Sequence, residues 1–519
     1  MMSPVRKIVI VGGGTAGWLT ACILASEFRD QAGTPSITVT LIESPNIPTL
    51  GVGEGTWPSM RSTLEKIGLS ETEFLTTCSA SFKQGTLFEG WRTNADRFLH
   101  PFTPPMRRGS YDLGQTWQKS NDQLPFDLAT CPTASLAIAD KAPKQITTPQ
   151  YAFAANYGYH LDAGEFARLL ARHGTSNLGV RHVLTGIQSP KLGDQGFIQA
   201  LITDANDEIT GDLFIDCSGS QALLLGMALD VPLVSQAHVL FNNAALAVQV
   251  PHASPAAPIT SCTRSTAQAN GWIWDIALQH RRGIGYVHCT SFTGDSEAET
   301  VLRQYVASEF DQATAESIEP RKLSFDPGYR ASFWEKNCIA IGMSSGFIEP
   351  MEASALVMVE TSAWLLARTM PRTSEELPRH AQAFNRELLH HWQRIIHFLK
   401  LHYVLSEREG AYWDAHRDPE SWPPGLNSDL SVWTQRPIDQ YDSRLISDLF
   451  PAASYQYIYH GMGRPVGSDG RPRSSRHASL SATLQLSQDV QHTQKKLFDA
   501  MPTNRALLEK IKTYGQPKI

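Results

Sequence analysis

Four apolar residues, Ile8-Val9-Ile10-Val11, stop abruptly at Gly12-Gly13-Gly14-Thr15-Ala16-Gly17, and a largely apolar stretch follows from Trp18 to Phe28. A short apolar run ended by glycine predicts a strand buried on both faces, then a tight turn into a helix. A second strand is predicted at residues 37–42 and ends in Glu43. Two later runs have the same character. Residues 212–216 lead into Cys217-Ser218-Gly219, and residues 337–342 precede Ser345-Gly346-Phe347 and a predicted helix over 353–368. Alternating apolar and polar positions around 285–289 predict an antiparallel sheet within 240–330. Phe384, Leu388, Leu389, Trp392, Ile395, Ile396 and Leu399 recur at helical spacing and predict one long helix over 380–402. Residues 159–172 predict a further helix and residues 180–203 a β region. Residues 98–155, rich in Pro, Gln, Thr and Asp, predict long loops. Beyond Asp418, Pro and Trp predict shorter helices, with an exposed Gly/Ser/Arg-rich loop over 463–475. No internal repeat is visible.

These elements predict an α/β protein. An FAD-binding, Rossmann-like doubly wound domain is assembled discontinuously from residues 1–95, 160–225 and 330–370. A mixed antiparallel-sheet and helical substrate domain takes residues 96–159, 226–329 and 371–519. The order strand, glycines, helix, strand, acid is what a dinucleotide requires. Gly12 permits the turn, Gly14 lets backbone approach the pyrophosphate, and Gly17 lets helix and strand pack closely. Thr15 and Ala16 open the helix whose N-terminus attracts the phosphates, and Glu43 is placed to accept from a ribose.

Composition narrows the class. A net charge of -6 and a pI near 6.3 argue against nucleic acid or an anionic membrane as the main partner. The cysteines at 22, 78, 131, 217, 262, 289 and 338 form no CxxC pair, which points to reduced thiols in a cytoplasmic protein and to no metal site. No apolar run approaches the length that spans a bilayer.

Gly271-Trp272-Ile273-Trp274-Asp275-Ile276 places two indoles on one side of an extended segment, as a broad apolar wall. With the glycine motif, this chain resembles the flavin-dependent halogenases of the tryptophan halogenase type, whose signature is W-x-W-x-I-P. Trp272, Trp274 and Ile276 match, and Ala277 stands where the family has Pro. The resemblance covers residues 5–465 and implies that the wall keeps organic substrate away from the flavin. It further implies that Lys83, in Ala80-Ser81-Phe82-Lys83-Gln84-Gly85, is catalytic. Glu352, in Gly346-Phe347-Ile348-Glu349-Pro350-Met351-Glu352, is then its partner, placed to take the ring proton or to hold the hypohalous acid. Backbone N–H groups of Ser354 and Ala355 are expected to hold halide, in a segment where the family more often has Ser-Thr-Gly and this chain has Ala353-Ser354-Ala355. Gly53 in the strap Gly51-Val52-Gly53-Glu54, together with Val183, Met343 and Leu356, is implied to touch the cofactor, and His100 and Phe102 to border the substrate.

The implied activity is FADH2-dependent halogenation of an electron-rich aromatic, an indole or its derivative. It proceeds through a flavin C4a-hydroperoxide and hypohalous acid guided by Lys83. The implied cofactors are FAD and a halide, bromide or chloride. The implied partners are a small aromatic substrate and a separate NADH-dependent flavin reductase met by diffusion, with a homodimer left open. No convincing grip for a free amino acid is found, so indole is expected to serve better than tryptophan. The competing readings are an FAD-dependent aromatic monooxygenase and a non-catalytic flavin-binding protein. The first is disfavoured by the Trp wall, and the second leaves Lys83 and Glu352 without a role.

Overall fold

A computed structural model describes residues 4–29, 36–47, 53–108, 111–117, 124–443, 448–465 and 480–518. Gly51 and Val52 of the strap, and positions 466–475 of the expected loop, lie outside the described residues. The chain forms two compact units. The first comprises Met1–Ala80, Leu161–Ala237 and Phe325–Trp392, and the second Ser81–His160, His238–Ser324 and Gln393–Ile519.

The first unit is built on a six-stranded sheet in the order Arg181–Leu184, Thr38–Glu43, Lys7–Val11, Leu213–Asp216, Cys338–Ala340, Trp334–Glu335. The first five strands run parallel and the last is an antiparallel edge. The helix Thr15–Glu27 is apolar nearly all round because it is buried nearly all round, packing with the helices Ala163–Ser176 and Ser354–Arg368. A second apolar cluster joins Val9, Val11, Ile42 and Phe214 of the sheet to Ile198 and Leu201 of an antiparallel meander and to Leu224 and Leu225.

The second unit carries a seven-stranded sheet in the order Arg321–Ser324, Ala244–Pro251, Arg281–His288, Gly271–Ala277, Thr263–Gln268, Gly85–Glu89, Arg97–Pro101. All neighbours are antiparallel except Thr263–Gln268 with Gly85–Glu89. Helix Asp295–Glu309 packs Ala298, Leu302 and Val306 against Leu246, Val248, Ile273 and Ile284. Trp91 centres an aromatic core, with ring centroids 5.5 Å from Phe88, 6.2 Å from Trp272 and 5.8 Å from Trp413. This accounts for tryptophans that follow no simple stripe in the sequence.

Several expectations change. Residues 158–162 form the strand Gly158–Asp162, not the opening of a helix, because the chain pairs there with Ser81–Lys83. The helix begins at Ala163, where the Asp162 side chain accepts from Glu165 N. Residues 98–155 are more than loops. Arg97–Pro101 is an edge strand, and Phe126–Thr130 and Ala134–Ile138 are short helices, with Asp127 accepting from Leu99 N. Leu480–Ala500 is a 21-residue helix, longer than the expected C-terminal pieces. The long helix spans Leu377–Val404, with Leu389 on its exposed side. Residues 81–95 group with the second unit, because Gly85–Glu89 joins its sheet, whereas residues 371–392 group with the first. All seven cysteines are buried and free. Among the described residues, no helix is long and apolar enough to cross a membrane and no acidic, His or Cys group is placed to hold a metal.

Candidate functional site

In the first unit, the ends of the parallel strands open onto a cavity of about 350 Å³. Its lining brings together Gly12, Gly14, Thr15, Ala16, Glu43, Met343, Ser354, Ala355 and Leu356, and adds Glu54 and Cys217–Gly219. Each glycine of the turn has its own reason. Gly12 has φ +119°, and a Cβ there would lie 2.1 Å from the Cys217 carbonyl oxygen. A Cβ on Gly17 would lie 1.9 Å from the Gly12 carbonyl oxygen, so Gly17 sets the helix-to-turn packing rather than the lining. At Gly14 no protein atom lies within 4 Å of such a Cβ, because that direction is the cavity itself. Gly13, which the motif leaves unspecified, faces the Glu43 side chain, which would have to move to admit a larger residue. A Cβ there would meet the Glu43 carboxyl group at 2.1 Å.

Two helices aim their N-termini at this space. Neither Thr15–Glu27 nor Ser354–Arg368 has a side-chain cap, so their first N–H groups are available to an anion. Ala353 precedes the second helix in a left-handed conformation, φ 53°. The turn after Leu213–Asp216 is held by buried Asp216, whose carboxylate accepts from the N–H groups of Ser218, Leu224 and Leu225. Glu43 receives His182 Nε2 at 2.9 Å, and that imidazole stands edge-on to Trp18. Val183 belongs to the strand beside Glu43 and packs into the apolar cluster, and Gly53 lies in the short strand Gly53–Gly55. Neither lines the cavity. A cavity lined largely by glycines and apolar residues, with the Glu43 carboxyl and two uncapped helix termini on its wall, fits an FAD.

Glu352 and Glu349 are buried and precede the helix, which starts at Ser354 and has no acid in its first turn. They are therefore not helix-dipole ornaments on a solvated face. The Glu352 carbonyl accepts from Trp57 Nε1 at 2.8 Å. Two further carboxyls enter from the structure, Glu54 on the cavity wall and the buried Glu360. Burial, and secondarily the charge of Asp162, pushes Glu54 up to about 7. Burial likewise pushes Glu360 up to about 7, against hydrogen bonds from Thr63 Oγ1 and Ser59 Oγ. A carboxyl with a raised folded pKa binds its proton more tightly folded than unfolded, so its stabilising share is present below the ordinary 4.5 and is lost as pH rises through about 7. Glu360→Gln is accordingly expected to raise Tm at pH 8, by the equivalent of about 2–3 kcal/mol, and to change it little at pH 5. Thermal melts at the two pH values check this. An equal shift at both would contradict it.

In the second unit, Ser81–Lys83 is a wholly buried strand and Lys83 is 1% exposed, so it is not a solvated surface lysine. Its Nζ lies 5.5 Å from the centroid of the Phe102 ring, and Phe102 N donates to Gln84 O at 2.9 Å. His160, paired in register with Ser81, is also buried. Desolvation and the charge of Lys83 hold it well below its usual range, and its Nε2 is 2.8 Å from Thr263 Oγ1. His100 packs against Phe398 and Tyr457, an aromatic wall position. Trp272 and Trp274 sit on the fully buried strand Gly271–Ala277 with centroids 6.4 Å apart. The second indole fits only because residue 285 is glycine, where a Cβ would lie 2.0 Å from the ring.

The family model described as tryptophan halogenase matches residues 7–472. Tryptophan 6-halogenase SttH of Streptomyces toxytricini is 32% identical over 478 residues, covering 88% of this chain and 89% of that protein. The crystal structure of a tryptophan halogenase from Shewanella frigidimarina NCIMB 400 is similar with a TM-score of 0.95 and 46% identity, over 100% of this chain and 99% of that one. Tar14, a tryptophan C-6 flavin-dependent halogenase from taromycin biosynthesis, gives a TM-score of 0.90 and 30% identity over 98% and 100% of the two chains. The chain belongs to the tryptophan halogenase family, flavin-dependent enzymes that use reduced FAD, O2 and halide to halogenate aromatics of the indole type.

Proposed function

We propose that the protein is an FADH2-dependent halogenase of indole or an indole derivative, with Lys83 guiding hypohalous acid to the ring and Glu352 taking the ring proton. Reduced FAD, when bound, supplies with O2 the oxidation of halide to hypohalous acid. Gly12, Gly14, Thr15, Ala16 and the helix they open would hold its pyrophosphate, and Glu43 its ribose. The N–H groups of Ser354 and Ala355 would hold the halide. Lys83 donates a hydrogen bond to the oxygen of hypohalous acid and so makes the halogen more electrophilic. Little water competes for a side chain this buried. As a ring carbon attacks the halogen, the carbon–halogen bond forms and the halogen–oxygen bond breaks. The departing hydroxide leaves as water with a proton from the lysine. The arenium proton passes to Glu352. Trp272 and Trp274 form the wall that keeps the ring from direct oxygenation. A separate NADH-dependent reductase supplies the reduced flavin by diffusion.

The observation that carries this reading is a lysine only 1% exposed beside an aromatic ring, in a chain that also has a cavity that fits FAD. The test supplies flavin reductase, NADH, FAD, both halides, and equimolar indole and tryptophan, with products identified by mass. Brominated indole is expected to dominate, because bromide is the easier halide to oxidise and no grip for an amino acid was found in the sequence. Efficient chlorination of tryptophan would overturn the substrate and halide assignment. A hydroxylated product would make the protein a monooxygenase.

A further inference from the structure

The strand that carries Lys83 is only three residues long, and Gly158–Asp162 pairs with one of its edges. What lies at its other edge comes from the far end of the chain. Asn504, fully buried at the start of the helix Asn504–Tyr514, donates from Nδ2 to the Phe82 carbonyl oxygen at 3.0 Å and to the Thr260 carbonyl oxygen at 3.4 Å. Phe82 O is the carbonyl of the peptide unit that leads into Lys83. The residue on the other side of the lysine is tied to the same segment. Gln84 Nε2 donates to Lys141 O at 2.7 Å, and Lys141 forms a β-bridge with Thr503. Three more bonds lock that bridge. Lys141 Nζ donates to Met501 O, Ala142 N to Pro502 O and Asn504 N to Asp140 O. Phe82 is thus bonded to Asn504 itself, and Gln84 to Ser261 O through its backbone N–H and to Lys141, the residue that 501–504 hold. Residues 501–504 lie beyond the span 7–472 matched by the family model.

We propose that the C-terminal segment 501–504 is the clamp that positions Lys83, with Asn504 as its principal positioning residue. The proposal rests on the reading that Lys83 guides hypohalous acid. Its physical basis is that a three-residue strand has too few ladder bonds to fix a long side chain by itself. Delivery of a reactive oxidant depends on placement, and an error near 1 Å can cost about a hundredfold. Aspartate at 504 keeps the volume and suits a helix N-terminus, but it removes the two amide donors and sets a carboxyl group against two carbonyl oxygens.

The test compares Asn504→Asp, Gln84→Met and Lys83→Ala in the full-length chain with reductase, FAD, NADH, bromide and indole. Halogenated product per reduced flavin oxidised is measured, with KM for indole, Tm, and hydrogen exchange of the peptide covering residues 80–85. Asn504→Asp and Gln84→Met are expected to lower product per flavin at least about tenfold at saturating indole, with KM unchanged and faster exchange in that peptide. A lowered Tm with native product per flavin would show a merely structural contact and overturn the clamp, as would unchanged exchange. Where Asn504→Asp does not fold, Gln84→Met decides by the same criteria. Unchanged product per flavin in Lys83→Ala as well would overturn the Lys83 reading, and the clamp with it.

Discussion

Lys83→Ala is expected to abolish halogenation, by at least about a hundred- to a thousandfold, while reduced flavin is still consumed and peroxide released. The separation follows from where the side chain acts. The residues that line the cavity assigned to FAD in the proposal all belong to segments other than the Lys83 strand, so loading and oxidation of the flavin are expected to proceed without the lysine. The step lost is the one that needs a hydrogen-bond donor on hypohalous acid in surroundings poor in water. The measurement is product by mass against NADH consumed and peroxide formed. Product yield within a few-fold of the parent would remove Lys83 from the mechanism. Glu352→Gln is expected to reduce turnover less completely in the same assay, because water can also take a proton from an arenium ion.

Gly14→Val is expected to eliminate FAD binding while leaving the fold intact. At φ -74° and ψ -177° the backbone at residue 14 suits any L residue, and a Cβ there meets no protein atom within 4 Å. The new side chain instead occupies the cavity in front of the helix N-terminus, where the pyrophosphate would sit. Affinity should fall at least about a hundredfold, with the stability of the apoprotein changed by no more than an ordinary surface substitution would change it, about 0.5 kcal/mol. The companions Gly12→Ala and Gly17→Ala behave oppositely. Each drives a methyl group into a backbone carbonyl oxygen, and loss of several kcal/mol of stability is expected. Titration of apoprotein with FAD, alongside thermal melts, separates the two outcomes. Stoichiometric FAD in Gly14→Val would refute the assignment of the cavity.

The sequence by itself determined whatever depends on near neighbours. An apolar run into Gly12–Gly17 specifies strand, turn and helix because the constraint is local backbone sterics. Apolar spacing specified the long helix around residues 384–399, and alternation specified the sheet that carries Trp272 and Trp274. Tertiary structure decided whatever depends on a partner distant along the chain. Gly285 is required by the Trp274 indole, and the Glu43 carboxyl lies against Gly13. Burial raises the Glu360 pKa against the hydrogen bonds of Ser59 and Thr63, and Asn504 reaches Phe82 across 422 positions. None of these pairs leaves a periodic trace. Residues 158–162 become a strand because distant segments, residues 81–83 among them, offer edges, and residues 98–155 gain order from contacts such as Asp127 with Leu99. Local propensity registers none of this, because the deciding energy is burial and hydrogen bonding between segments that meet only after folding.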